Sequence, residues 1–253
     1  LNGDGTIVAI GANDNDAGTG DANDDRGHVR VYEYNTGTSS WTQRGNDIDG
    51  EAAGDESGIS VALSDDGNTV AIGAIGQVRV YEWDATANNN NGDWDQLGSD
   101  IDSNDAVGNC VALSSDGSIL ATTAPGADGG GNNAGAIRVY KRDTNASIGW
   151  SKIVDDIDGD SADDELGGGI VVSLGLSKNG EIVAGGATQS NVASNNYNDL
   201  KGYVKVSRLE RPHGHISNFD YTPLSNLDFN ASVSNRKEHH DDWQEGPIVG
   251  VAT

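Results

Sequence analysis

The chain has 253 residues, 15 Lys plus Arg against 40 Asp plus Glu, and a net charge of −25. So acidic a surface repels nucleic acid and anionic membranes, whose binding needs basic patches, and no apolar run is long enough to insert across a bilayer. A single cysteine, Cys110, leaves no partner for an internal disulfide, and the length fits one domain.

In chain order, residues 4–12 read DGTIVAIGA; after an acidic insert, 27–34 read GHVRVYEY and 41–50 read WTQRGNDIDG. The same order then recurs with one more phrase in front. Residues 57–64 (SGISVALS), 66–74 (DGNTVAIGA), 76–83 (GQVRVYEW) and 94–103 (WDQLGSDIDS) make the second copy. The third copy is 108–114 (GNCVALS), 116–124 (DGSILATTA), 135–142 (GAIRVYKR) and 150–159 (WSKIVDDIDG). A fourth has 168–177 (GGIVVSLGLS), 179–187 (NGEIVAGGA) and 202–209 (GYVKVSRL). The turn glycines Gly5, Gly67, Gly117 and Gly180 stand 62, 50 and 63 residues apart. Self-similarity at such a period marks a repeat architecture, and a repeat explains its own residues structurally.

Each phrase alternates apolar with polar residues and is rich in β-branched and aromatic types, which predicts strands. The Asp-Gly and Asn-Gly pairs between phrases predict hairpin turns, since glycine accepts positive φ without a steric cost. One repeat is therefore four antiparallel strands, the last of them WDQLGSDI. That is the unit of a β-propeller blade. The expected fold is all-β: a propeller of about four four-stranded antiparallel blades, either a closed small ring or a fragment of a larger propeller. No long stretch has a 3.6-residue apolar period, so almost no helix is expected.

The repeat grammar covers 1–207 and fails in 208–253. This tail holds three of the four prolines, both phenylalanines and four of the five histidines, but three of the 36 glycines. It is read as a divergent last blade or, alternatively, a separate appendage. Its end, 246–253 (GPIVGVAT), resembles the inner-strand phrase that the first copy lacks, so it is the expected closing strand, sharing a blade with the N-terminus. The chain has no methionine, no leader pattern and opens inside a repeat. These features read as a piece of a larger secreted protein with neighbouring domains. The sequons at Asn145 and Asn230 are usable in a eukaryotic secretory route.

The phrases together resemble the FG-GAP repeat of integrin α-type propellers. Val107-Gly108 and Leu166-Gly167 stand at its Phe-Gly position, and Gly11-Ala12, Gly73-Ala74, Thr123-Ala124-Pro125 and Gly186-Ala187 at its Gly-Ala-Pro position. Leu1-Asn2-Gly3-Asp4-Gly5 is similar to the middle of its Asp-rich hairpin. The resemblance implies a secreted propeller with calcium in the hairpin loops. Calcium takes six to eight oxygen ligands. Here the oxygen-bearing positions of that loop are filled by Val8, Ala62, Val70, Ala112 and Leu120, so those hairpins read as plain turns.

The better calcium candidate is the insert of the first copy. Asp21-x-Asn23-x-Asp25-x-Gly27 places oxygen side chains at positions one, three and five of a calcium loop, with Asp14 and Asp16 close by. The second copy shortens this connection to Ile75-Gly76, so the insert is dispensable to the blade. Other constellations are weaker. His213-x-His215 and His239-His240-Asp241-Asp242 have imidazoles for a transition metal but no clear third ligand. Asp47-Ile48-Asp49, Asp100-Ile101-Asp102 and Asp156-Ile157-Asp158 are paired carboxylates of the kind acid–base chemistry uses, yet they recur with the repeat. The recurring Trp41, Trp94 and Trp150 are expected to pack between blades. The leading expectation is a non-enzymatic extracellular adhesion or interaction module, calcium as its ion, with a protein or glycan partner. The alternatives are a structural subunit of a surface assembly and a polysaccharide-acting propeller enzyme or lectin.

Overall fold

In a computed structural model, the structure describes residues 1–16, 21, 23–143, 149–168, 174–187 and 202–209. All belong to a unit spanning Leu1–Ser217; a second unit, Asn218–Thr253, lies outside the described residues, and so does the expected closing strand 246–253.

Alternation within each phrase becomes four antiparallel sheets in chain order. The first holds β1 (Ile7–Ala12), β2 (His28–Asn35), β3 (Ser40–Gln43) and β4 (Ile48–Asp49). The second holds β5 (Ser60–Leu63), β6 (Thr69–Ala74), β7 (Gln77–Asp84), β8 (Asp93–Gln96) and β9 (Ile101–Asp102), with a short helical turn, α1 (Ala87–Asn90), before β8. The third repeats this as β10 (Val111–Leu113), β11 (Ile119–Ala124), β12 (Ala136–Arg142), β13 (Trp150–Lys152) and β14 (Ile157–Asp158). The fourth has β15 (Leu174–Leu176), β16 (Ile182–Ala187) and β17 (Tyr203–Arg208). The all-β class and the strand phrases are as the sequence reads.

One refinement concerns the last strand of each repeat. It divides into two pieces that pair with the same neighbour, β8 and β9 both on β7, with equivalent pairs in sheets 1 and 3. Gly45 and Gly98 supply the turn out of register at φ +81°. A side-chain bond clips the excursion closed: Gln43 Nε2 to Asp47 Oδ1 (2.7 Å), Gln96 Nε2 to Asp100 Oδ1 (2.6 Å) and Lys152 Nζ to Asp156 Oδ1 (2.9 Å).

Period-two alternation also decides how the sheets stack. Val70 and Ile72 of β6 pack with Val29, Val31 and Ile7 of sheet 1, while Ala71 between them packs with Leu120 of sheet 3. Ile137 and Val139 meet Val183 and Ala187 of sheet 4 in the same way. Three apolar cores thus lie between consecutive sheets, and β6 is buried along its whole length. Positions without such a neighbour among the described residues are exposed. Ile10 is 51% exposed where its repeat equivalent Ile72 is 1%, and Val206 is 53% where Val80 is 2%.

Two backbone features lock consecutive sheets together. At one end Gly108 adopts φ +101°, and a Cβ there would lie 2.4 Å from the Ala74 carbonyl oxygen. Gly58 plays the same part against Gly11. At the other end the residues before the hairpin glycines bond in series: Gly3 N–H to Asp65 O (2.9 Å), Asp65 N–H to Ser115 O (2.8 Å) and Ser115 N–H to Lys178 O (2.8 Å).

Candidate functional site

Among the described residues, the chain leaving β1, β6 and β11 toward the next strand of the sheet, and that leaving β4, β9 and β14 toward the next sheet, lies at the end opposite those hairpins. The basic residue of the Gly-x-Val-Arg-Val phrase points into this loop end and reaches the preceding sheet. Arg79, 3% exposed, donates from Nη2 to the Asp49 carbonyl and to Ser57 Oγ, both at 3.1 Å, and its Nη1 lies 3.7 Å from Glu51. Arg138 donates to Ser103 Oγ (2.8 Å) and to Asp105, and from Nε to Asp156 of its own sheet (3.1 Å). Lys205 donates to the Asp158 carbonyl and pairs with Asp160 at 2.6 Å. Each sheet is therefore clamped by a cation to the acidic connection leaving its predecessor. Arg30 in sheet 1 turns instead to its own Asp47, donating from Nε (2.9 Å) and Nη2 (2.7 Å).

The tryptophans follow the same logic. Trp94 donates from Nε1 to the Arg44 carbonyl (2.8 Å) and Trp150 to the Leu97 carbonyl (3.2 Å), each across to the preceding sheet. Arg44 also stacks on Trp83, 4.5 Å from the ring centroid. Trp41 is 44% exposed and lies against Tyr34, 5.2 Å between ring centroids. Packing between sheets, expected for all three, holds for Trp94 and Trp150.

The paired carboxylates separate into two roles. The first Asp of each pair closes the clip described above, so Asp47, Asp100 and Asp156 are tied into the strand break. The second stands at the loop end. Ile48 and Ile101 between them are buried, as alternation requires. Arg30 hydrogen-bonded to Asp47 holds that carboxyl below the usual carboxylate range, and Arg138 does the same for Asp105. Burial and repulsion from Asp100 push Asp102 up; burial and Asp156 push Asp158 up. Acid–base chemistry on one substrate needs two available carboxyls that converge on it. Here each raised carboxyl has a neighbour already committed to holding the strand.

Two features of this end differ between copies. In sheet 2, where the connection is shortest, Ile75, Gly76, Gln77, Asp102, Ser103 and Asn104 line an open groove of about 490 Å³. In sheet 1, His28 occupies the repeat position of Gln77, and Asp49 that of Asp102. A ring nitrogen of His28 and one carboxylate oxygen each from Asp47 and Asp49 all lie within 4.8 Å of one another. His28 is 5% exposed, and its Nδ1 is 2.9 Å from Asn15 Oδ1 in the acidic insert.

The insert residues are placed as follows. Asp14 Oδ1 accepts from Asn13 Nδ2 (2.6 Å), and Asp21 Oδ1 accepts from the Asn23 backbone N–H (3.1 Å). Asp25 has φ +44°, and its carbonyl accepts from Glu56 N–H (3.0 Å), tying the insert to the connection toward sheet 2. Asp16 ends the described first part of the insert. Among the described residues, the one close group of three or more His, Cys, Asp or Glu ligand atoms is His28, Asp47 and Asp49; between Asp14, Asp16, Asp21, Asn23 and Asp25, residues 17–20 and 22 lie outside the described residues. The hairpins do not fit calcium: Val70 and Leu120, at the ligand position, are fully buried core residues. Asp66 and Asp116 instead accept from Ser64 and Ser114 hydroxyls (2.6 Å each) and from backbone N–H groups within their own turns. His213, His215, His239, His240, Asp241, Asp242 and both sequons lie outside the described residues.

Sequence reading missed the clamp and the His28 group. The clamp had a visible signal, a cation and an acidic connection that recur together one sheet apart. His28 had only its difference from Gln77, Ala136 and Tyr203 at the same repeat position.

No family model matches the chain, and no curated protein does. Among solved structures it is similar to a candidate 6-phosphogluconolactonase of Bacteroides uniformis, at 12% identity and TM-score 0.49 over 79% of this chain and 48% of that one. It is also similar to a functionally unknown protein of Desulfotomaculum acetoxidans, at 16% identity and TM-score 0.44 over 81% of this chain and 53% of that one. A third is the tricorn protease, at 12% identity and TM-score 0.46 over 88% of this chain and 20% of that one. The chain spans about half the length or less of these structures.

Proposed function

We propose that this chain is a non-enzymatic interaction module on a β-propeller scaffold, working outside the cell and offering its loop end to a protein or glycan. Sheets stacked in chain order and clamped each to the last support the scaffold. The observation that carries the non-enzymatic reading is the hydrogen bonding of Asp47, Asp100 and Asp156 in strand clips, which leaves the first three repeats without a pair of carboxyls free to exchange protons with a substrate. Recognition then falls to the parts that differ between copies, the insert of sheet 1 and the groove beside Gln77. The test is a glycan and matrix-protein array beside a reducing-sugar assay. It compares the chain with a variant whose residues 13–26 are replaced by the single Ile found at that place in the second copy. Binding that weakens in the variant, with no reducing ends released, is expected. Release of reducing ends that falls in Asp102→Asn overturns the reading.

A second reading, a structural subunit of a larger surface assembly, is favoured by the uncovered Ile10, Val204 and Val206. Sedimentation decides it: a concentration-independent monomer rejects assembly through those faces.

A further inference from the structure

The His28 group combines features found together only in the first copy. The repeat supplies Asp49 on β4 and Asp47 immediately before it, on either side of Ile48, which is turned into the core. His28 is the direct cross-strand partner of Asp49, and its imidazole is almost fully buried. The insert supplies Asn15, whose backbone carbonyl accepts from Gly27 N–H at 2.9 Å, fixing it beside the ring. Asn15 Oδ1 accepts the Nδ1 proton, which sets the tautomer and leaves the lone pair on Nε2. Among the described residues Nε2 makes no hydrogen bond. An imidazole held through its other nitrogen, beside one carboxylate, Asp47, that is itself hydrogen-bonded, is an arrangement protein metal ligands adopt.

We propose that His28, Asp47 and Asp49 bind one divalent transition-metal ion, zinc by ligand type. Imidazole favours zinc over calcium, and the carboxylates complete a three-ligand set with a position left for water. Tetrahedral zinc spaces its donors about 3.4 Å apart, so groups already within 4.8 Å need close by little more than an ångström. Arg30 and Gln43 stay on Asp47 and hold it in place; the Arg30 charge also weakens affinity for any dication, so the imidazole decides which ion binds. This site is separate from the calcium expectation for Asp21, Asn23 and Asp25.

The experiment is zinc titration by calorimetry on the full chain, on His28→Gln, and on a variant with His213, His215, His239 and His240 all changed to Gln. Glutamine at 28 copies Gln77 of the second repeat, so the fold is retained; circular dichroism melting checks this. Loss of one zinc equivalent, or at least tenfold weaker binding, is expected in His28→Gln, with that equivalent kept in the tail variant. The proposal is overturned if His28→Gln binds as many equivalents as the parent with unchanged affinity. It is also overturned if the tail variant binds none, or if calcium displaces zinc at equal concentration.

Discussion

Replacing Arg79 by Met keeps the apolar stem of the side chain and removes only the head that reaches sheet 1. The structure sets the size of the effect. Two hydrogen bonds from a charged donor are lost, to the Asp49 carbonyl and to Ser57 Oγ, and Ser57 is fully buried, so no water replaces the bond freely. Bonds of this kind contribute about 1.5–3 kcal/mol each, so the loss is roughly 3–6 kcal/mol. The Glu51 contact adds little, because Glu51 is 57% exposed at 3.7 Å. With a urea m-value of about 2–3 kcal/mol/M, the unfolding midpoint drops by roughly 1.5 M. Trp94 lies in the same interface and reports the transition by fluorescence. Arg30→Met is the control: it holds the same repeat position but serves only its own sheet and is 43% exposed, so the midpoint drops by clearly less. Equal shifts in the two variants would refute the clamp.

Four further outcomes follow from the same geometry. Gly108→Ala places a Cβ 2.3 Å from the Gln77 carbonyl oxygen at φ +101° and should cost at least ~3 kcal/mol, whereas Gly54→Ala, at φ +81° in open space, should cost ~1 kcal/mol in thermal melts. Asp105→Asn and Asp102→Asn should shift stability in opposite directions at pH 7. The lowered Asp105 stabilises the fold above its unfolded value near 4, and this is lost as pH falls through the lower folded value; the raised Asp102 penalises the fold above its folded value, so its removal raises the melting temperature, and both differences vanish in acid. Burial pushes the Cys110 thiol up, so thiol labelling at pH 8 should be slow in the folded chain and fast in denaturant. Calorimetric calcium titration of the chain, against the variant with a shortened insert, should show heat only in the parent; equal heats reject calcium at Asp21, Asn23 and Asp25.

Strand identity was legible because alternation and β-branched residues act locally. The DGNTVAIGA and GQVRVYEW phrases became β6 and β7 with the Asp-Gly turn where it was placed. The break between β8 and β9 was not legible, since Leu97 and Ile101 look like one continuous strand until a Gln96–Asp100 bond closes the excursion. The site was harder still. Its residues come from β2, β4 and the insert, and nothing local to His28 says that Asn15 will meet its ring. Acid-rich composition drew attention to Asp21, Asn23 and Asp25 because they are adjacent in sequence. The group proposed above for zinc instead forms where a strand register sets His28 opposite Asp49.

The clamp has one consequence for protein engineering. Its two ends are 30 residues apart from Asp49 to Arg79, 35 from Ser103 to Arg138 and 47 from Asp158 to Lys205. The bond forms over all three intervals, because both ends are anchored on strands or directly beside one and the intervening chain only has to return. Length is therefore a free variable between them, and loop closure grows costlier only logarithmically. The connection at Ile75 and Gly76, the shortest of its kind, is then a natural graft point. A peptide epitope or a small folded domain inserted there would ride on a frame whose inter-sheet register is set elsewhere.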